Sequence, residues 1–391
     1  MDAKDRIHLT LDHEEPDRVP VSEGTIDNIR IVEHYGEKYV FRGIKTLLGI
    51  FTRILPFKNR LIRKYTSLKN VIKGRLARNV KLYKAIGVDM AVGPVSLFPV
   101  KFYKWGYVDE FGRKFKVTTH TDGMDVAFYS GGYFKDFEEY ESFDHHPSIN
   151  DRIRGTALEI ISELNQEFEG DVYVIPGFPA LLEATWEGFG IENFSRLLTR
   201  SKEAKKVFDD RGKFALEQAK LSIEAGAEFM LLFDDYGFKT RLFMHPKNFE
   251  KYIFPWMRQI CNYAHNHGAK ILLHSCGNLA KIFEALIDCG IDAFNPIEPT
   301  VSDPDYDIFK LKKKYGDKIT LNGNVSPQDL ATKDPEYIIN YTKKLLKECA
   351  PGGGYIIASG HSINPQVKLE NFLAMRETTM KYGTYPIDIP D

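Results

Sequence analysis

Short apolar runs alternate with longer amphipathic stretches along this chain, and that alternation predicts its elements. Eight runs read as β-strands: "RVPVSEG" (18–24), "VDMAVGP" (88–94), "DVYVIPGF" (171–178), "EFMLLFDD" (228–235), "KILLHSC" (270–276), "IDAFNPI" (291–297), "KITLNGN" (318–324) and "GYIIASG" (354–360). The later runs are almost continuously apolar, as expected for strands covered on both faces of a parallel sheet. Helical patterns lie between them. In "HPKNFEKYIFPWMRQICNYAHNHG", Phe249, Ile253, Trp256, Met257, Ile260 and Ala264 share one stripe. Pro255 is placed to kink that helix and Gly268 to close it. "NLAKIFEALIDCG" offers Asn278 as N-cap and Gly290 as C-cap.

This repeated alternation predicts an α/β fold of the (β/α)8 TIM-barrel type, with long insertions after strands 1 and 2. Residues 25–87 form a basic helical insertion. Residues 95–170 carry the turn signals Asp-Glu-Phe-Gly and His-Thr-Asp-Gly between β-type runs, which predict a small antiparallel meander. One domain then spans residues 1–391. An open doubly wound sheet is the alternative, but no glycine-rich phosphate loop follows any strand.

Charge and cysteine content narrow the class. The formal net charge is −1, so no global charge favours nucleic acid. The four cysteines, Cys261, Cys276, Cys289 and Cys349, form no disulfide framework and no Cys-x-x-Cys pair. The charged N-terminus is unlike a secretory signal, and no apolar run approaches the ~18 residues of a membrane span. A cytoplasmic protein is expected. One local asymmetry stands out: from Arg42 to Lys84 there are thirteen Lys or Arg and no Asp or Glu. That stretch is either a solvated helical excursion or a dock for something acidic.

In a TIM barrel the chemistry lies at the C-terminal ends of the strands. Those ends carry Glu23, Ser96, Phe178, Asp234 with Asp235, His274 with Cys276, Asn295 with Glu298, Asn322 with Asn324, and His361. His274 and Cys276 are two apart in a strand, so they face the same way and can grip one metal ion. Zinc suits imidazole and thiolate, and a third donor must come from another strand end. His361 is the expected third ligand, with Asp234 and Glu298 as alternatives. Cys276 also lies just before an expected helix N-terminus, which favours its thiolate. Glu23, Asp234 and Asp235 are the candidate catalytic carboxylates. Asp234 and Asp235 are adjacent, so only one can face the mouth, and the other caps a turn or is solvated. Phe178, Trp186, Asn295, Asn322 and Asn324 are candidate substrate contacts. Phe178, Trp186, Phe189, Phe233 and Phe238 gather near strand ends and favour an apolar or aromatic ligand.

Several segments together resemble the uroporphyrinogen decarboxylase superfamily over nearly the whole chain. They are "LTLDHEEPDRVPV", "LYKAIGVDM", "DDYG", "HGAKILLHSCGN", "GIDAFNPIEP", "LNGNVSP" and "GGGYIIASGHSINPQVKLENFLAM". The resemblance implies a (β/α)8 barrel and one of two chemistries. The decarboxylase branch carries an arginine-rich segment after strand 1 and a catalytic aspartate after strand 2. Here those regions read "VSEGTIDNIR" and "GPVSLFPVKF", and neither matches. Arg30 alone would not serve a polycarboxylate. The methyltransferase branch carries His-x-Cys at the end of strand 5, matched by His274 and Cys276, and a cysteine after strand 8. "SGHSINP" puts His361 at that last position; a substrate contact is its alternative role. The resemblance therefore implies a zinc-dependent methyltransferase. It would move a methyl group between a small donor, such as an O-methyl aromatic ether, and the cobalt of a corrinoid. No Asp-x-His-x-x-Gly signature is present, so the corrinoid would be carried by a partner protein docking at the barrel mouth. A metal-free decarboxylase-like enzyme and a non-catalytic member of the fold are the alternatives. A homodimer is compatible with the sequence, which does not fix the oligomeric state.

Overall fold

The computed structural model describes residues 1–36, 69–119, 125–301 and 303–390. Its strands are β1 (Met90–Pro94), β2 (Pro99–Tyr103), β3 (Gly106–Asp109), β4 (Arg113–Thr119), β5 (Asp125–Gly132), β6 (Tyr173–Pro179), β7 (Phe229–Phe233), β8 (Lys270–His274), β9 (Ala293–Asn295), β10 (Thr320–Asn322) and β11 (Tyr355–Ile356). A seven-stranded sheet runs in the order β1-β6-β7-β8-β9-β10-β11, and its pairings are all parallel. β2 to β5 form a separate four-stranded antiparallel sheet. It occupies the stretch where the turn signals predicted a meander.

Both faces of the parallel sheet are buried, which explains the nearly unbroken apolar runs. Met90, Tyr173, Ile175, Phe229, Leu231, Leu272, Ala293 and Ile356 cluster with Ala3, Ile7 and Leu11. The last three recur every four residues along the helix Ala3–Leu11, so that helix presents one apolar stripe to the sheet interior. It plugs the N-terminal end. Thr320 donates its hydroxyl to the carbonyl of Thr10 at 3.3 Å, and Lys270 donates to that of Leu11 at 2.9 Å. The opposite face packs into a larger core beneath the surrounding helices.

The sheet curls until its edges are linked by one short segment. Val21 bridges Ile357 of the last-strand segment, and Ser22 bridges Met90 of β1, both in parallel sense. The run 18–24 was expected as a full strand, and here it makes only isolated bridges, at Arg18 to Thr384 in antiparallel sense and at Val21 and Ser22. The cause is local. Pro20 has no N–H to give, and the N–H of Val21 goes to the Asp89 carboxylate at 2.8 Å instead of to a strand.

Pro255 stands in the first turn of a helix that follows a change of helical type. A π-helical turn, Phe249–Ile253, directly precedes the helix Phe254–Asn266. The missing proline N–H removes one helical bond, and the widened turn absorbs the break. Of the basic insertion, residues 37–68 lie outside the described residues. What is described of it includes the helices Ile29–His34 and Lys69–Ile86. Lys69 and Lys73 are paired with Glu163 at 2.6 and 2.9 Å, and Lys84 with Asp171 at 2.6 Å. Part of the expected cationic surface is thus paired, on the surface, with acidic neighbours. Among the described residues no helix is long and apolar enough to cross a membrane.

Candidate metal centre at the C-terminal end of the sheet

Strand alternation carries the interior face of the sheet past the strand ends. Phe233 ends β7, and two residues on, Asp235 shares its direction. His274 ends β8, and Cys276 follows on the same face. The ligand atoms of Asp235, His274 and Cys276 all lie within 4.8 Å of one another. Cys276 Sγ is 3.7 Å from His274 Nε2, which is 3.9 Å from Asp235 Oδ1. Zn–S and Zn–N bonds at a tetrahedral angle separate their donors by roughly 3.6 Å, so the sulfur–nitrogen gap already fits one ion.

Backbone contacts hold this triangle. The N–H of Cys276 donates to Asp235 Oδ1 at 2.7 Å. Gly277 then passes so close to Gly237 that a Cβ would lie 2.3 Å from the Gly237 carbonyl, and its φ is +96°. Only glycine suits that position, which explains the residue that ends the His-Ser-Cys-Gly run.

A chain of side-chain hydrogen bonds fixes the imidazole. Asn295 Nδ2 donates to the Asn322 carbonyl at 3.0 Å, so Asn295 Oδ1 is the atom facing His274. That oxygen can only accept, at 2.6 Å, so His274 Nδ1 carries the proton. Nε2 is left with its lone pair aimed at the Cys276–Asp235 side, as a metal ligand requires. Asn322 is held in turn by Ser22, whose hydroxyl donates to Oδ1 at 2.8 Å.

The electrostatics call for a cation. Burial pushes the Cys276 thiol well above its ordinary pKa, and Asp235, Glu298 and Glu183 add to the rise. The expected helix N-terminus is not there to oppose this, because the next helix starts only at Phe283. Burial likewise raises Glu183 well above the usual carboxylate value, with Asp235 the next cause. Asp109, Glu183 and Glu187 share the Arg113 guanidinium, and the N–H of Asp235 donates to Glu183 at 3.3 Å. Three carboxylates thus share one arginine, and the Asp235 backbone is tied to one of them. A divalent ion held by thiolate, imidazole and carboxylate would relieve that excess.

The other expected site residues are placed as follows. Asp234 is fully buried and accepts from the N–H groups of Leu181 at 2.9 Å and Glu183 at 2.6 Å, so it caps the helix Leu182–Phe189. Burial lifts its carboxyl to about 6. Glu23 follows inward-facing Ser22 and so points outward. Its carboxylate takes the hydroxyl and the N–H of Ser359, and burial raises it to about 7 against the pull of Ser359 and Arg376. Neither Asp234 nor Glu23 faces the metal centre, contrary to expectation. Phe178 is a core residue with no exposed surface, so it lines no pocket. Phe189 is likewise core. Asn324 is buried and spent on structure: it donates to the Ile297 carbonyl at 2.6 Å and accepts from Tyr341 at 2.9 Å. Asn295 and Asn322 serve the histidine relay. Trp186 stacks on Phe243 with centroids 4.9 Å apart, and Phe238, 47% exposed, leans on Phe243 at 4.2 Å. Phe233 meets His274 edge to face at 6.4 Å. His361 stands across the centre, its ring 6.4 Å from that of His274 and outside the close triangle. Glu298 accepts the N–H of Gly277 at 3.1 Å and the Thr300 hydroxyl at 2.7 Å, supporting the loop. The third close donor is therefore Asp235. Alternation from Phe233 already favoured it over Asp234.

Residues 107–382 match the uroporphyrinogen decarboxylase (URO-D) family. The chain belongs to that family. Among similar proteins, the uroporphyrinogen decarboxylase of Coxiella burnetii is 28% identical over 164 residues, covering 41% of this chain and 42% of that protein. The methylcobamide:CoM methyltransferase MtaA of Methanosarcina barkeri is 23% identical over 219 residues, covering 56% of this chain and 61% of that protein. This URO-D family member thus spans between two fifths and two thirds of the length of these two relatives. A solved methyltransferase from Methanosarcina mazei shares its fold, with a TM-score of 0.65 and 17% identity over 98% of this chain and 99% of that one.

Proposed function

We propose that this protein is a zinc-dependent methyltransferase. It moves a methyl group between a small donor and the cobalt of a corrinoid held by a partner protein, on a (β/α)8 framework closed through Val21 and Ser22. The single observation that carries the reading is the triangle of His274 Nε2, Cys276 Sγ and the Asp235 carboxylate, within 4.8 Å of one another. The similarity to MtaA, a methylcobamide-using methyltransferase by name, supports it. So does the charge of the site. A decarboxylase for a polycarboxylate needs basic groups facing its substrate, and this end of the sheet gathers Asp235, Glu183, Glu187 and Glu298 instead.

Bound zinc supplies Lewis acidity to the leaving heteroatom of the donor. Each residue then has a task. His274, Cys276 and Asp235 hold the ion. Asn295 fixes the imidazole tautomer. Trp186, Phe243 and the exposed Phe238 offer flat apolar surface to an O-methyl aromatic donor. The corrinoid protein docks at this end of the sheet, and the enzyme works in the cytoplasm. The test is zinc content and methyl transfer together. The purified protein binds about one zinc per chain, lost in His274→Ala and Cys276→Ala, and forms methylcobalamin from cob(I)alamin and a methyl donor. Zinc that stays bound after both substitutions overturns the assignment.

A further inference from the structure

Arg113 belongs to the antiparallel meander, not to the parallel sheet, yet its side chain reaches Glu183 and Glu187 beside the candidate metal centre. It is 6% exposed. Its Nε bonds Asp109 Oδ2 at 2.7 Å, which anchors it to its own sheet. Its Nη1 bonds Glu187 at 3.0 Å and pairs with Glu183 Oε1 at 3.8 Å. Glu183 Oε2 accepts the N–H of Asp235 at 3.3 Å, and Asp235 Oδ1 accepts the N–H of Cys276 at 2.7 Å. A continuous path thus runs from β4 through the helix Leu182–Phe189 to two members of the triangle.

The geometry points to Arg113, acting through Glu183, as a positioning residue that sets the Asp235–Cys276 geometry from the meander. This inference rests on the metal site proposed above. Its logic is mechanical. Without the guanidinium, Glu183 loses the ion pair that fixes it beside Glu187 and is free to swing from the Asp235 N–H. The turn after β7 then loosens, and the Cys276 N–H loses a fixed acceptor. A purely electrostatic role has the opposite sign. Removing a nearby positive charge would tighten a cation site, whereas removing a positioning group weakens it.

The experiment uses the full chain and two readouts. The first is hydrogen exchange at the Asp235 and Cys276 amides in metal-free protein. The second is zinc affinity by competition with a chromogenic chelator. Arg113→Met and Glu183→Ala are expected to speed exchange at both amides and to weaken zinc, each about tenfold. Glu183→Gln keeps an acceptor oxygen and is expected to restore protection. Unchanged exchange, or zinc bound as tightly or more tightly in Arg113→Met, overturns the inference. Should Arg113→Met fail to fold, the Glu183→Ala and Glu183→Gln pair decides, since the Asp109–Arg113 bond stays intact. Equal exchange in that pair overturns the inference. Absence of zinc in the wild-type chain would sink the methyltransferase reading, while the exchange readout still decides the positioning role.

Discussion

Replacing Asn295 by Leu tests the histidine relay. The substitution roughly keeps side-chain volume and removes both polar contacts. Two hydrogen bonds vanish: the 2.6 Å acceptor for His274 Nδ1 and the 3.0 Å donor to the Asn322 carbonyl. The orphaned carbonyl costs about 1–3 kcal/mol of stability, because a buried acceptor loses its partner. The effect on metal is separate. With no acceptor at Nδ1, the imidazole can rotate, and its proton can move to Nε2, the atom that must bind zinc. Loss of such an orienting partner typically weakens metal binding about 10–100-fold, or about 1.4–2.8 kcal/mol. Chelator competition at fixed pH measures the affinity, and thermal melting of the metal-free protein checks the fold. A folded Asn295→Leu variant whose zinc affinity stays within about twofold of wild type would refute the tautomer argument.

The remaining expectations concern other parts of the same chemistry. His361 lies outside the close triangle, so His361→Ala should keep zinc within about threefold, while Asp235→Ala should lose it by about 10-fold or more; equilibrium dialysis with metal analysis separates the two. The Cys276 thiol is raised by burial and by Asp235, so zinc must displace its proton; apparent affinity should rise about tenfold per pH unit between about pH 6 and 8, with proton release visible by calorimetry in buffers of different ionisation enthalpy. Glu23 is raised from 4.5 to about 7, so the folded state keeps a proton that the unfolded chain releases; stability should fall as pH rises across that window, by at most about 3 kcal/mol, and level off above it. Glu23→Gln should flatten that slope in denaturant titrations, while an unchanged slope would show that Glu23 is not its source.

Much of this was legible in the sequence, for identifiable reasons. The parallel strands showed because both their faces are buried, so their residues are apolar almost without a gap. The strand at 18–24 did not show correctly, because apolar spacing reports burial and not ladder bonds. Pro20, without an N–H, and the Asp89 carboxylate, which takes the N–H of Val21, shorten the pairing to isolated bridges while leaving Val19 and Val21 buried. His274 and Cys276 were visible through strand period alone. So was Asp235, had alternation been carried on from Phe233. The role of Asn295 was hidden, because it depends on the register that sets His274 of β8 opposite Asn295 of β9. Arg113 and Glu183 were hidden more deeply. Nothing in a local pattern says that a meander residue will meet a helix 70 positions onward.

The relay also ties the closing of the sheet to its chemistry. Ser22 is one of the two residues that span the sheet edges, bridging Met90. The same residue donates to Asn322, whose carbonyl orients Asn295, whose oxygen sets the proton of His274. His274, Asn295 and Asn322 lie on three successive strands, β8, β9 and β10, so the ligand tautomer depends on those strands being in register. A slip at the Ser22 bridge would leave Asn322 Oδ1 without its donor, on the same residue whose main-chain carbonyl orients Asn295. This offers a physical reason for polar residues where strand ends could have stayed apolar. Amides that hold one another in series have little freedom to rearrange, and an ion bound by His274 would need that neutral ligand held in one tautomer.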